Sequence, residues 1–456
     1  MFPGNNHLLH TSLVKLMVLM FGLSEFAVRL PALLGHVLYL SASWWLLRRY
    51  LSRMYLVIGV GVMVMNPYLL DLFSASRGYA LALGFLMWSL YFLLLRAEQK
   101  PGEGGLSNTG AALFLGVSAV LANAGFLNIF LVLVAVLCVI EIRYLLYLKK
   151  KPRKMIAELC VFVILVFAAG MLMAWPIMQQ VATLLGTDEH YPGGESLYDD
   201  TFSGLSSNLL YGREYLGSQT LVFDMMISAI LLLTVTLVVF FMLYRKIAGR
   251  GKVMDSGLLV TWVLSTGVVV VWVLMNLIFS VKYPSGRTAV YLVPVFLLMC
   301  LLLWKRLCSF RNKAAAASAK TVMMVLFVLL LLHYMACLNF SHYHEWKYDA
   351  DTKDMIIYVM GQNDEDGPDD RKGIEGGPVQ IGVLTPHVPA VNFYRARYDL
   401  DYVGEVFRYT GLGRDDDYFY IDCDDTKPVG QFKLELVKKY VVSGSCLYVH
   451  EREKTQ

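Results

Sequence analysis

Long apolar runs separated by short polar ones organise the first three quarters of the chain. Ten of them have the length and apolarity to cross a bilayer, near residues 30–47, 54–73, 79–95, 110–126, 127–148, 155–177, 221–244, 257–281, 288–304 and 321–338, since a helical span needs about twenty mostly apolar residues. The first thirty residues follow another pattern. Leu9, Leu13, Leu16, Met17 and Met20 recur at helical spacing, but Lys15 interrupts them and Asn5, Asn6, His7 and His10 precede them. A helix lying in the membrane interface within residues 1–29, ended by Gly22, fits that pattern better than a span. The basic n-region and small-residue cleavage site of a signal peptide are absent.

Beyond residue 338 the pattern becomes that of a soluble α/β unit. Residues 379–384, 418–423 and 446–450 read as strands, 388–398 and 431–440 as short helices, and the Asp- and Gly-rich stretch 363–377 as a loop. The expected architecture is an α-helical multi-pass membrane domain over residues 1–338, with an outer loop at 178–220, followed by a small α/β domain over 339–456.

Composition and charge sharpen this picture. With 57% hydrophobic and 17% charged residues in 456, a soluble chain could not hide its apolar surface. The net charge of +4 divides into +12 over residues 1–338 and −8 over 339–456, which implies two environments. Every second loop is basic: Arg48, Arg49 and Arg53; Arg96 and Lys100; residues 149–154; Arg245 to Lys252; and Lys305 to Lys313. The positive-inside rule puts these loops in the cytoplasm. The N-terminal segment, the 71–77 turn, the loop 178–220, the 283–287 turn and the C-terminal domain then lie on the outer side of the cell (inner) membrane.

That face collects the candidate chemistry. The stretch from Asn66 to Tyr79 sets Asp71, Arg77 and Tyr79 between two apolar runs, where charge must face the interface or a polar cavity. A solvated turn with a snorkelling arginine is the equal alternative. The spans themselves hold few ionisable groups. Glu141 and Arg143 read as a snorkelling pair at a cytoplasmic end, and Asn123 and Asn128 as supports of a tight turn. Asp415, Asp416, Asp417, Asp422, Asp424 and Asp425 lack a calcium-loop pattern and read as a solvated acidic face. The seven cysteines show no metal spacing. Cys423 and Cys446 share the outer domain, where a disulfide or two buried thiols would both be compatible.

Three segments together carry a resemblance: Asn5-Asn6-His7-Leu8-Leu9; Phe21 through Glu25 and Arg29 to Pro31; and Asn66-Pro67 through Arg77-Gly78-Tyr79. In order and spacing they resemble the N-terminal half of bacterial GT-C glycosyltransferases of the protein-mannosyltransferase-like (family 39) group. Tyr283-Pro284-Ser285-Gly286-Arg287 is similar to a later turn of such enzymes. The resemblance implies a multi-helix transferase that takes a hexose or pentose from a polyprenyl-phosphate donor to a glycan, lipid or protein acceptor at the outer membrane face. Arg77, Tyr79, Arg29, Arg287 and Tyr283 would bind the donor phosphate, and Asn6 and His7 would orient substrate or a divalent metal. An ordinary i,i+4 ion pair with Glu25 is the competing reading of Arg29.

The chain departs from the family at its start. Members begin with a further transmembrane helix and an outer loop bearing an acidic residue, and this chain enters after that point. The expectation is therefore that the family's base lies upstream or is missing, with Asp71 the remaining carboxylate. Two other classes stay open: a transporter or flippase for a lipid-linked glycan, which would depend on groups within spans such as Glu141 or Asn276, and a catalytically silent receptor or accessory subunit, which would bind the donor without turnover.

Overall fold

The computed structural model describes residues 7–51, 54–99, 106–148, 151–186, 193–215, 256–309, 312–364, 378–407 and 411–451. Two compact units emerge, Met1–Leu338 and Asn339–Gln456. The first is a helical multi-pass membrane unit and the second contains a small mixed sheet.

In the first unit α1 (Leu8–Phe21) stops where Gly22 takes a left-handed φ of 75°. Residues 25–29, expected within the interfacial segment, instead begin α2 (Glu25–Tyr50), because the Ser24 hydroxyl accepts the Ala27 N–H and caps a new helix. Then follow α3 (Met54–Val64), α4 (Pro67–Ser74), α5 (Tyr79–Glu98), α6 (Leu106–Ala122), α7 (Leu127–Tyr147) and α8 (Pro152–Gly186). After them come β1 (Gly193–Gly194), α9 (Gly204–Leu210), α10 (Ser256–Phe279), β2 (Tyr283–Pro284), α11 (Leu292–Cys308) and α12 (Lys313–Cys337). Among the described residues, six helices are long and apolar enough to span: α2, α5, α7 with its preceding turn, α8, α10 and α12. The helices α6 and α11 are shorter, at 17 residues each, and the expected span 221–244 lies outside the described residues.

The run 54–73 is not one straight span. The helices α3 and α4 meet at 66°: Pro67 pushes Asn66 into extended backbone, and the Asn66 side chain then caps α4 by accepting the Leu69 N–H at 3.0 Å. This break turns Asp71 into the packed interior, where it is 6% exposed. The helices α2 and α5 cross closely at glycines. A Cβ on Gly35 would meet the Leu81 nitrogen at 2.4 Å, and one on Gly84 the Gly35 oxygen at 2.7 Å, the small-residue contact that lets membrane helices approach.

Glu141 does not pair with Arg143. It faces Arg96 instead, bound through Nε to Oε1 at 2.7 Å and Nη2 to Oε2 at 2.6 Å, with Thr109 donating to Oε1 at 2.5 Å. Residues two apart on a helix point to different faces, and Arg143 is left exposed.

In the second unit α13 (Thr352–Asp364) and α14 (Val388–Arg397) accompany the sheet order β3-β4-β6-β5, formed by β3 (Ile381–Val383), β4 (Tyr418–Asp422), β5 (Leu434–Lys439) and β6 (Ser445–His450). Met355, Ile356, Val359, Val388 and Val391 pack on one face, while Val429 and Phe432 of α15 (Thr426–Phe432) reach Phe419 and Ile421 on the other. The expected helix 431–440 is thus corrected to a strand that pairs antiparallel with β6 across a bulge at Leu436/Lys438. Cys423 and Cys446 form a disulfide.

Candidate functional site

The site is built where the start of α1 meets the α4–α5 turn. His7 occupies the N-cap position of α1, and its ring stands edge-on to Tyr79 with centroids 5.7 Å apart. Between Arg77 and Tyr79 the backbone of Gly78 is pressed against the end of α6: a Cβ there would lie 1.9 Å from the Ala122 carbonyl oxygen and 3.0 Å from the His7 Cβ. One turn along α1, His10 Nε2 lies 3.4 Å from the Ser76 hydroxyl, which donates to the Val28 carbonyl of α2 at 2.7 Å. The α1 helix is thereby fastened over the 76–79 turn.

Arg287, 210 positions beyond Arg77 in the chain, lies near enough to His7 for its charge to act on the imidazole. Its turn, Gly286–Ala289, follows β2, whose Tyr283 pairs with Gly194 of β1. The Thr201 hydroxyl donates to the Pro284 carbonyl, and the Tyr283 hydroxyl donates to Asn276 Oδ1 at 3.2 Å. The electrostatics of His7 register this convergence. Burial, then the positive charge of Arg77, His10 and Arg287, push its imidazole down to about 3. Burial and Arg77 hold His10 down at about 4, although a backbone group of Ser76 works the other way. Two neutral imidazoles beside two guanidiniums make a polar, cationic rim, the arrangement that receives an oxyanion.

A carboxylate stands on the adjoining helix. Asp71 Oδ2 accepts the Tyr211 hydroxyl at 2.9 Å, and the neighbouring Tyr68 hydroxyl accepts from Asn208 at 3.3 Å. Segment 193–215 therefore bridges the helix carrying Asp71 and the turn carrying Arg287. Arg29 forms an i,i+4 pair with Glu25 at 3.9 Å, with its side chain 42% exposed. Asn6 lies outside the described residues.

Tyr211, Ser76 and His10 were not singled out as site residues from the sequence. For Tyr211 no local pattern could do so, because its partner is 140 positions away. His36 was also passed over, although an ionisable group inside an apolar run is itself a signal; it stacks on Phe73 of α4 at 4.5 Å.

The depressed imidazoles predict a pH profile. Below about 6.5 the unfolded chain binds more protons than the folded one, so this stability is fully present above that pH and is lost as pH falls toward 4 and then 3. For the well-buried His10 the loss at pH 5 amounts to about 2 kcal/mol. The thermal midpoint in detergent should fall between pH 7 and 5, and His10→Gln should flatten that fall. An unchanged slope in the variant would show that His10 takes up its proton without leaving its place.

No family model matches the chain, and neither does any curated protein. Two solved structures are similar to it. The crystal structure of ArnT from Cupriavidus metallidurans in the apo state shares 12% identity at a TM-score of 0.49, over 96% of this chain and 86% of that one. The crystal structure of the same protein bound to undecaprenyl phosphate shares 14% identity at 0.48, over 97% and 87%.

Proposed function

We propose that this chain is a membrane glycosyltransferase of the GT-C, protein-mannosyltransferase-like kind, moving a hexose or pentose from a polyprenyl-phosphate donor to an acceptor at the outer face of the cell membrane. The observation that carries this reading is the packing of the Arg77-Gly78-Tyr79 turn against His7 at the start of α1, beside the buried carboxylate of Asp71 on the adjoining helix. The acceptor hydroxyl attacks the anomeric carbon and gives its proton to Asp71, while the bond from that carbon to the phosphate oxygen breaks. The polyprenyl phosphate leaves with the negative charge that Arg77 and Arg287 receive, a group poised where charge develops. Neutral His7 and Tyr79 wall the anion pocket. Among the described residues no three His, Cys, Asp or Glu side chains gather as metal ligands. Segment 193–215 and the extracytoplasmic C-terminal domain select the acceptor, as loops on a rigid scaffold do.

Two polar groups that a transporter would need are engaged in the fold. Both Glu141 oxygens are held by Arg96, with Thr109 on one of them, and the Asn276 side chain bonds the Val281 carbonyl and Tyr283. This favours the transferase over the flippase.

Arg77→Ala and Arg287→Ala should each lower transfer by about a hundredfold or more, with insertion and elution unchanged. Arg77→Lys should recover only part, because an ammonium lacks the two-pronged donor geometry. The assay is sugar transfer in proteoliposomes from a panel of undecaprenyl-phosphate hexoses and pentoses. Unchanged transfer in both alanine variants would remove the site from this rim; wild-type protein that binds the donors without turnover would be a receptor.

A further inference from the structure

Resting on the transferase reading, a second inference concerns what holds Asp71 in place. The Tyr211 hydroxyl donates to its Oδ2, and Tyr211 has a left-handed backbone, φ 56° and ψ 41°, at the end of α9. That conformation is costly for a tyrosine and persists only where surrounding contacts impose it. Those contacts come from the last turns of α12. His333 Nε2 lies 3.0 Å from the Leu209 carbonyl, and His333 Nδ1 lies 2.6 Å from the Tyr215 hydroxyl. A carbonyl only accepts, so Nε2 carries the hydrogen, and in the neutral ring Nδ1 then accepts from Tyr215. In the other direction, Arg213 Nη2 donates to the Ala336 carbonyl at 2.9 Å.

The bonded carbonyls of Leu209 and Ala336 both lie in the final turn of a helix, where intrahelical donors run out. The end of α9 is thus capped by the His333 imidazole of α12, and the end of α12 by Arg213, three residues past α9; Tyr211 sits between the two capping points, two residues from Leu209 and two from Arg213. We propose that His333, together with Arg213, is the positioning residue of the site: the reciprocal cap fixes residues 209–215, sets the Tyr211 hydroxyl on Asp71 Oδ2 and so orients the carboxylate that takes the acceptor proton. His333 touches no reacting atom. It acts through Tyr211.

The test uses the full-length protein in lipid nanodiscs and has two arms. In the first, Asp71→Cys with Tyr211→Cys is bridged by a short bis-thiol-reactive reagent, which spans the gap a phenol and a carboxylate fill, and the linked peptide is quantified by mass spectrometry with His333 intact, as His333→Ala and as His333→Gln. Linking should fall about tenfold in His333→Ala and return to within twofold in His333→Gln, which keeps an N–H donor for the Leu209 carbonyl. In the second, sugar transfer from the undecaprenyl-phosphate panel is measured with Asp71 and Tyr211 native. His333→Ala should lower kcat about tenfold with the donor KM unchanged, and His333→Gln should restore it. Linking that is unaffected by His333→Ala overturns the proposal, as does transfer that survives while linking is lost. Should His333→Ala fail to insert, His333→Gln carries the test in both arms against Tyr215→Phe, which loses only the second bond and should fall between wild type and loss. A wild-type protein that transfers no sugar defeats the transferase reading, while the linking arm still decides whether His333 holds position 211 beside position 71.

Discussion

Gly78→Ala should remove donor binding and transfer while leaving most of the helical unit able to insert. The obstacle to a methyl group there is the Ala122 carbonyl oxygen at 1.9 Å, with the His7 Cβ behind it at 3.0 Å. Neither is the far end of a flexible side chain, so the 76–79 turn itself must shift by about 1 Å or more. Forced overpacking of this kind costs about 1–3 kcal/mol in folding. The larger effect falls on function, because Arg77 and Tyr79 flank the displaced residue, and a 1 Å misplacement can cost about a hundredfold in rate. Gly170 supplies the control: a Cβ there meets nothing within 4 Å, so Gly170→Ala in α8 should be neutral or slightly stabilising through helix propensity. The checks are transfer, the Kd for undecaprenyl phosphate and the thermal midpoint. Wild-type values of all three in Gly78→Ala would mean that the turn has room the geometry denies it.

The legible part of this architecture is what repeats along the chain. Apolar runs of span length announce helices because the bilayer demands them one at a time, and a membrane helix needs no distant partner to satisfy its backbone. The break between α3 and α4 escaped that reading for a related reason: the apolarity of residues 54–73 is continuous, and only the local chemistry of Asn66 and Pro67, a cap and a missing N–H, bends it. In the second unit the alternation of Leu434, Glu435 and Leu436 is masked by the bulge that follows. A bulge shifts the two-residue phase, so the segment read as helical.

Pairings at long range were the least legible. That Arg77 stands beside His7 follows from alternating ends of successive spans, but the placement of the Arg287 turn depends on β1, β2 and Thr201 tying segment 193–215 to it. The contact of Tyr211 with Asp71 depends on the cap between α9 and α12. Arg29 illustrates the reverse. Its sequence neighbour Glu25 already supplied a local partner, and the structure shows that pair.

The buried pair at the opposite end of α5 should give the largest stability effect in the molecule. Arg96 and Glu141 are 1% and 2% exposed in their side chains, and polar and aromatic partners enclose the pair: the two-pronged bond, the Thr109 hydroxyl, Gln99 Oε1 at 3.3 Å from Nη1, and the Tyr144 ring 4.2 Å beneath the guanidinium. Removing one partner leaves a charge sealed among α5, α6 and α7. Glu141→Ala or Arg96→Ala should therefore cost about 3–5 kcal/mol. Replacing both by leucines removes the orphan together with the desolvation cost, so Arg96→Leu with Glu141→Leu should lie much closer to wild type than either single change. Thermal unfolding in detergent across the four proteins of this cycle measures the difference. Because Arg96 ends the helix that Tyr79 begins, some 17 positions and nearly five turns away, the double variant should still bind donor at the Arg77 rim. Additive single effects would show instead that water reaches one of the two charges. Loss of donor binding in a stable double variant would mean that α5 transmits a shift from one membrane face to the other.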